Sequence, residues 1–161
     1  MADEQQADPQ NQEEQQTIQP RKIYLKDVSF ETPNSPAIFL KEWNPHLELE
    51  IGNSAAMTKD GHHEVVLVLT VTVTVNGETA YLAEVHQAGI FTISGASPEQ
   101  TQQIHNVYCN RFLYPYACAA LSDLVTKGGF PQLLLQPINF DFMYKKRLES
   151  ARDAESARAD H

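Results

Sequence analysis

The 161-residue sequence has little of what marks an enzyme, a secreted scaffold or a nucleic-acid binder. It holds two cysteines, Cys109 and Cys118, and no C-x-x-C pair, so free and buried thiols are expected rather than a disulfide framework. A glycine-rich phosphate loop and a G-x-S-x-G elbow are both missing. Bases are scarce: 12 Lys and Arg stand against 21 Asp and Glu, for a net charge of −9. With no basic stripe for phosphates, nucleic acid and anionic membranes are poor partners, and positively charged segments are favoured ones. Residues 1–19 carry acids and no base, unlike a secretory signal peptide. The longest apolar run alternates with threonine and is too short to cross a bilayer as a helix. A soluble, cytoplasmic protein without membrane insertion is expected.

What the sequence does have is a long β-hairpin. Val65 to Val75 contains no charge, and Thr70, Thr72 and Thr74 alternate with Val71, Val73 and Val75. Period-two alternation of β-branched residues predicts a strand, about 36 Å long at roughly 3.3 Å per residue. Asn76-Gly77 turns it, and Glu78 to Ile93 returns. A two-residue loop would set Leu69 opposite Glu84 and spoil both faces. One extra residue, as a three-residue loop pairing Val75 with Thr79 or as an equivalent bulge, sets Val73 with Tyr81, Val71 with Ala83 and Leu69 with Val85. The sheet then has one Val/Leu/Tyr face and one Thr/Leu/Glu face.

Residues 1–19 are Gln- and Glu-rich and read as a disordered tail. Residues 20–150 read as the folded domain, and 151–161 as a charged tail that frays or continues as a solvated helix. Ile23–Glu31 reads as an edge or interface strand with neither face clean, Ile23, Leu25, Asp27 and Ser29 opposing Tyr24, Lys26, Val28 and Phe30. A Pro-rich loop with Ile38, Phe39, Leu40 and Trp43 follows, then a strand at Leu47–Ile51 and a polar connection from Asn53 to His63. Ser97-Pro98-Glu99-Gln100 opens a short helix. A break at Asn110–Pro115 precedes a second, with Tyr114, Ala117, Cys118, Leu121, Leu124 and Val125 as its stripe. Gly128-Gly129 ends that helix, and Asn139 caps a last one carrying Phe140, Met143, Tyr144, Leu148 and Ala151. The predicted class is α+β, an antiparallel four-stranded sheet with helices on one face.

Candidate chemistry is thin. His62-His63 beside Asp60 fit a solvated loop. His105 and Cys109 stand four apart, but two ligands do not make a zinc site. Glu84 and His86 share a strand face without a visible nucleophile. No catalytic residue, cofactor or metal is expected. On residue type alone, a small α+β enzyme or ligand-binding domain and an oligomeric adaptor for a folded partner remain open alternatives.

Four segments resemble the SecB family of bacterial protein-export chaperones, in order and spacing over about residues 21–145. They are Ile23-Tyr24-Leu25-Lys26-Asp27-Val28-Ser29-Phe30-Glu31-Thr32-Pro33, Glu84-Val85-His86-Gln87-Ala88-Gly89-Ile90-Phe91, Phe112-Leu113-Tyr114-Pro115-Tyr116-Ala117, and Gly129-Phe130-Pro131-Gln132-Leu133 through Pro137-Ile138-Asn139-Phe140-Asp141. The resemblance implies a homotetramer, a dimer of dimers, that binds unfolded preproteins without ATP and delivers them to the translocation ATPase SecA. It implies SecA contacts at Asp27, Glu31, Leu82 and Glu84, and an oligomer interface at Ala83, Val85 and Gln87. A client groove is implied at Ile38, Phe39, Trp43, Leu133, Phe140 and Tyr144. The family often has Cys at the place of Ala83 and Gln at the place of His86; neither departure removes a surface charge.

Overall fold

The Val/Thr run forms β3 (His63–Val75), and Asn76-Gly77 turns it into β4 (Glu78–Ser94). Both turn residues have positive φ, 52° and 82°, as a type I′ hairpin turn requires. Val75 stands opposite Glu78 and Thr74 opposite Thr79, so the loop has two residues and Val75 does not meet Thr79. A bulge then inserts Ala80, and from Val73–Tyr81 inward the expected register holds, Val71 with Ala83 and Leu69 with Val85. Turn chemistry fixes the loop while burial fixes the faces, and the bulge reconciles them.

The computed structural model describes residues 15–160. The antiparallel sheet runs in the order β1-β4-β3-β2, with β1 at Thr17–Glu31 and β2 at Pro45–Met57. Both outer strands are longer than expected. Asn53 to Met57, read as a polar connection, pair with Leu67 to His63 of β3. Their weak β propensity is overridden because β3 offers a row of backbone groups that must be paired. Thr17 to Gln19, read as tail, pair with Ser94 to Thr92 of β4. The remainder of that tail, residues 1–14, lies outside the described residues.

β1 also departs from simple alternation. Bulges fall between Pro20 and Lys22 and between Leu25 and Asp27. The second flips the pattern, so Ile23, Leu25, Val28 and Phe30 share one face while Tyr24, Asp27, Ser29 and Glu31 share the other. Both faces become clean, which alternation alone could not give.

α1 (Pro98–Gln103) opens on a reciprocal capping box between Ser97 and Gln100. The expected break at Asn110–Pro115 does not occur. The chain continues through a π-helical turn, Ile104–Cys109, into α2 (Asn110–Lys127), with Pro115 inside it. Pro115 removes one N–H from the ladder, but burial of Leu113, Ala117, Leu121 and Val125 against β3 and β4 keeps the helix whole. Its end is a Schellman motif: Gly129, at φ 88°, donates to the Thr126 carbonyl at 3.0 Å and Phe130 N–H to the Val125 carbonyl at 3.2 Å. Gly128 admits no side chain, because a Cβ there would strike the Phe30 ring. Asn139 caps α3 (Phe140–Ala159), in which only Phe140 is buried. The stripe expected on α3 is therefore mostly exposed, and residues 151–159 continue as solvated helix.

Candidate functional site

The helix-free face of the sheet gathers the acids. Ser29, Glu84, Thr70 and Glu50 form one row across the strands, and Glu31, Leu82, Thr72 and Glu48 form the next. Asp27 stands opposite His86 in the row beyond. Asp27, Glu31, Leu82 and Glu84, expected as one surface, are thus brought together. Glu48 and Glu50 extend that surface to the far edge; the strict alternation Leu47-Glu48-Leu49-Glu50-Ile51 carried the signal, unused until register is known. Glu84 accepts from the Thr70 hydroxyl at 2.8 Å and lies 3.1 Å from His86 Nε2. The His86 ring, and then the Thr70 hydroxyl, hold the Glu84 carboxyl below the usual carboxylate range.

On the helix side, aromatic rings converge on Phe130. Its ring centroid lies 4.8 Å from Phe39, 4.9 Å from Tyr81, 5.7 Å from Trp43 and 6.4 Å from Phe30. Beside them an apolar cleft of about 120 Å³ opens between Trp43, Leu47, Val73, Tyr81 and Leu133. Phe39 and Trp43 stay 46% and 38% exposed, so the ring cluster is open to solvent, and Trp43 gives the cleft a half-open wall over a floor of buried Val73 and Tyr81. Three of the six expected groove residues, Phe39, Trp43 and Leu133, build this region. Ile38 and Phe140, each 3% exposed, lie in the interior and not on this cleft. Tyr144 and Phe140 stand instead at a separate recess along β2, with Ile51 and Asn53. Phe130 and Tyr81 were missed because their place depends on the Schellman cap and the Ala80 bulge.

The histidines do not converge on a cation. His63 Nδ1 and His105 Nε2 share a hydrogen bond of 2.9 Å, and His62 Nδ1 faces the Thr92 hydroxyl at 3.1 Å. Burial pushes the Cys109 thiol up to about 12. Among the described residues no three His, Cys, Asp or Glu are grouped to hold a metal ion. No described helix is long and apolar enough to cross a membrane.

The family model for the preprotein translocase subunit SecB matches residues 11–151. The chain belongs to the SecB family. It is 45% identical over 152 residues to the protein-export protein SecB of Methylococcus capsulatus, covering 94% of this chain and 98% of the relative. It is 46% identical over 159 residues to that of Nitrosococcus oceani, covering 98% and 96%. Its fold is similar to that of a SecB-like chaperone from Mycobacterium tuberculosis, solved in complex with a ChAD peptide from an antitoxin. The TM-score is 0.64 at 17% identity, over 76% of this chain and 91% of that one. SecB proteins are export chaperones, and this chain has their role.

The positions expected at the oligomer interface, Ala83, Val85 and Gln87, are 1%, 0% and 5% exposed, covered within their own chain on the helix side of the sheet. Gln87 Nε2 donates to the Tyr24 carbonyl at 3.0 Å, beside the second β1 bulge. Side chains exposed near that edge are Leu25 at 48% and Val28 at 41%, and the π-helical turn and α2 together present a ladder of Tyr108, Phe112 and Tyr116 rings.

Proposed function

We propose that this SecB chain acts in the cytoplasm as a homotetrameric holdase, a dimer of dimers. In this reading it binds unfolded preproteins without ATP, keeps them competent for translocation and delivers them to SecA. The apolar cleft beside the Phe130 ring cluster carries the reading. A preformed apolar cleft with a half-open Trp43 wall over a buried Tyr81 floor takes up side chains that only an unfolded chain exposes. Capture of the unfolded state holds folding back by mass action, so no catalytic residue, cofactor or metal is proposed.

Two further features support the partners. The acidic rows around Glu84 and Glu31 suit a basic segment of SecA. The outer edge of β1, with Leu25, Val28 and the Tyr108–Phe112–Tyr116 ladder on its helix side, suits burial against a second copy.

The test uses the one tryptophan of the chain, Trp43, as a reporter in the cleft. Stoichiometric protein should delay refolding of an unrelated unfolded substrate and shift Trp43 emission together. Leu133→Asp should abolish both effects. Refolding that proceeds at its unassisted rate would remove the holdase reading, and a monomer alone in native mass spectrometry at micromolar concentration would remove the tetramer.

A further inference from the structure

Two side chains hold one carboxylate on the helix-free face. Glu84 Oε1 accepts from the Thr70 hydroxyl of β3 at 2.8 Å, and Glu84 Oε2 lies 3.1 Å from His86 Nε2 on its own strand. Each oxygen has one partner, and the two partners come from different strands. A free glutamate moves among many rotamers, and this one has already given them up. Its side chain is still 40% exposed, so the anchored carboxylate faces outward toward a partner.

His86 stands in the middle of the acidic surface. Asp27 of β1 is directly opposite it, and Glu84 lies two residues back on the same strand face. Side chains opposed across an antiparallel pair have Cβ atoms about 4.5–5.5 Å apart, so two acids flank the ring. On its other flank β3 brings Val68, which carries no charge, and then Thr70. The cation of Lys26, beside Asp27, is held by Glu64 Oε1 at 2.7 Å, and the Tyr24 hydroxyl also donates to Glu64. Glu50 of β2 is the next acid, in the row of Glu84 and Thr70.

An ionised carboxylate only accepts hydrogen bonds, so Nε2 carries the hydrogen of the neutral ring and Nδ1 is the atom that titrates. Imidazole is the side chain whose charge ordinarily changes between about pH 5 and 8. Glu84 stays ionised through that range, since ring and hydroxyl hold its carboxyl low. With the ring neutral, the surface has its full negative charge. With the ring protonated, the same hydrogen bond becomes an ion pair and one unit of that charge is cancelled at the centre.

We propose that Thr70 and His86 are positioning residues of the SecA-docking surface, and that proton uptake by His86 weakens docking. The inference rests on the docking reading above and deepens it. A basic segment meets a prealigned carboxylate when His86 is neutral, and a carboxylate already paired with a cation when it is not. A SecB with Gln at this place keeps a donor for Glu84 but has nothing to protonate.

SecA is titrated against the full chain at low salt, at about pH 8 and about pH 6, across the imidazole range. The unaltered protein is compared with His86→Gln, Thr70→Val and Thr70→Ser. The titrating groups of SecA are common to all four and cancel in ratios of dissociation constants. His86→Gln should bind like the unaltered protein at the higher pH and about threefold more tightly at the lower one, a gap that closes in high salt. Thr70→Val releases one oxygen of Glu84 and should bind about threefold more weakly at both pH values. Thr70→Ser keeps the hydroxyl and should restore binding. The same ratio between the unaltered protein and His86→Gln at both pH values overturns the role of His86. Equal affinity of Thr70→Val and Thr70→Ser overturns the positioning by Thr70. An unaltered protein that fails to bind SecA at the higher pH overturns the docking reading itself.

Discussion

Val73 stands directly opposite Tyr81, although its neighbour Thr74 stands opposite Thr79. Ala80 is the extra residue between them, fully buried, and the bulge it makes absorbs the odd count between the turn and Tyr81. Deleting Ala80 removes the bulge and leaves a plain two-residue hairpin in which Val73 still meets Tyr81, Val71 meets Ala83 and Leu69 meets Val85, so the later faces of β4 are kept. The expected outcome is a soluble, natively helical deletion variant. Circular dichroism of the soluble fraction checks it, and an insoluble or unfolded deletion variant would contradict the register argument.

The acidic rows predict a docking phenotype separate from client holding. Glu84→Lys, Glu31→Lys and Asp27→Lys each lie on the helix-free face, away from the Phe130 ring cluster. Each reversal should weaken SecA binding two- to fivefold or somewhat more, since exposed ion pairs contribute about 0.2–1 kcal/mol apiece. Glu48→Lys and Glu50→Lys, on the same rows at the far edge, should act in the same direction. Calorimetric titration with SecA at two salt concentrations measures this, with the differences shrinking at high salt. Substrate refolding should still be delayed by all five variants. Parallel loss of holding would show that the two faces are not independent.

The His63–His105 hydrogen bond predicts a pH window for stability. Burial, and then the neighbouring imidazoles His62 and His63, lower the pKa of His63 and His105 from 6.5. The unfolded chain therefore takes up protons first as pH falls. Stability is full above about 6.5 and declines as pH drops through that value toward the lower folded pKa values. Glu64 and Glu84 are shifted below 4.5, so their contribution is lost only in more acid solution. The melting temperature should fall between about pH 7.5 and pH 5, and His105→Gln should flatten that slope. An unchanged slope in the variant would sever the link to this pair.

The hairpin faces, the capping box at Ser97, the Asn139 cap and the acidic surface were legible because each depends on residues close in sequence or on a single period. Four resembling segments supplied the family. What stayed hidden depends on pairing across strands. The bulge beside Lys26 cleans the faces of β1, and no local pattern announces it. Residues 53–57 become strand only because β3 lies alongside. Pro115 reads as a helix start, yet the core face of Leu113, Ala117, Leu121 and Val125 carries the helix through it. Phe130 joins the ring cluster because Gly129 aims the chain back toward Phe39 and Tyr81.

Gln87 offers a physical route from a buried position to assembly. Its amide donates to the Tyr24 carbonyl beside the β1 bulge, so it fixes the edge strand from within. Gln87→Leu keeps the volume but leaves that carbonyl without its side-chain donor, at a cost of about 1–3 kcal/mol. The strain falls on β1, the edge that bears Leu25 and Val28. The variant should remain folded, with hydrogen exchange faster in β1 than in β3, and should shift from tetramer toward smaller species as it is diluted. Hydrogen exchange and native mass spectrometry across a concentration series read the two effects together. Dissociation with β1 exchange unchanged would mean that Gln87 acts by another path, and an intact tetramer with β1 loosened would separate edge order from assembly.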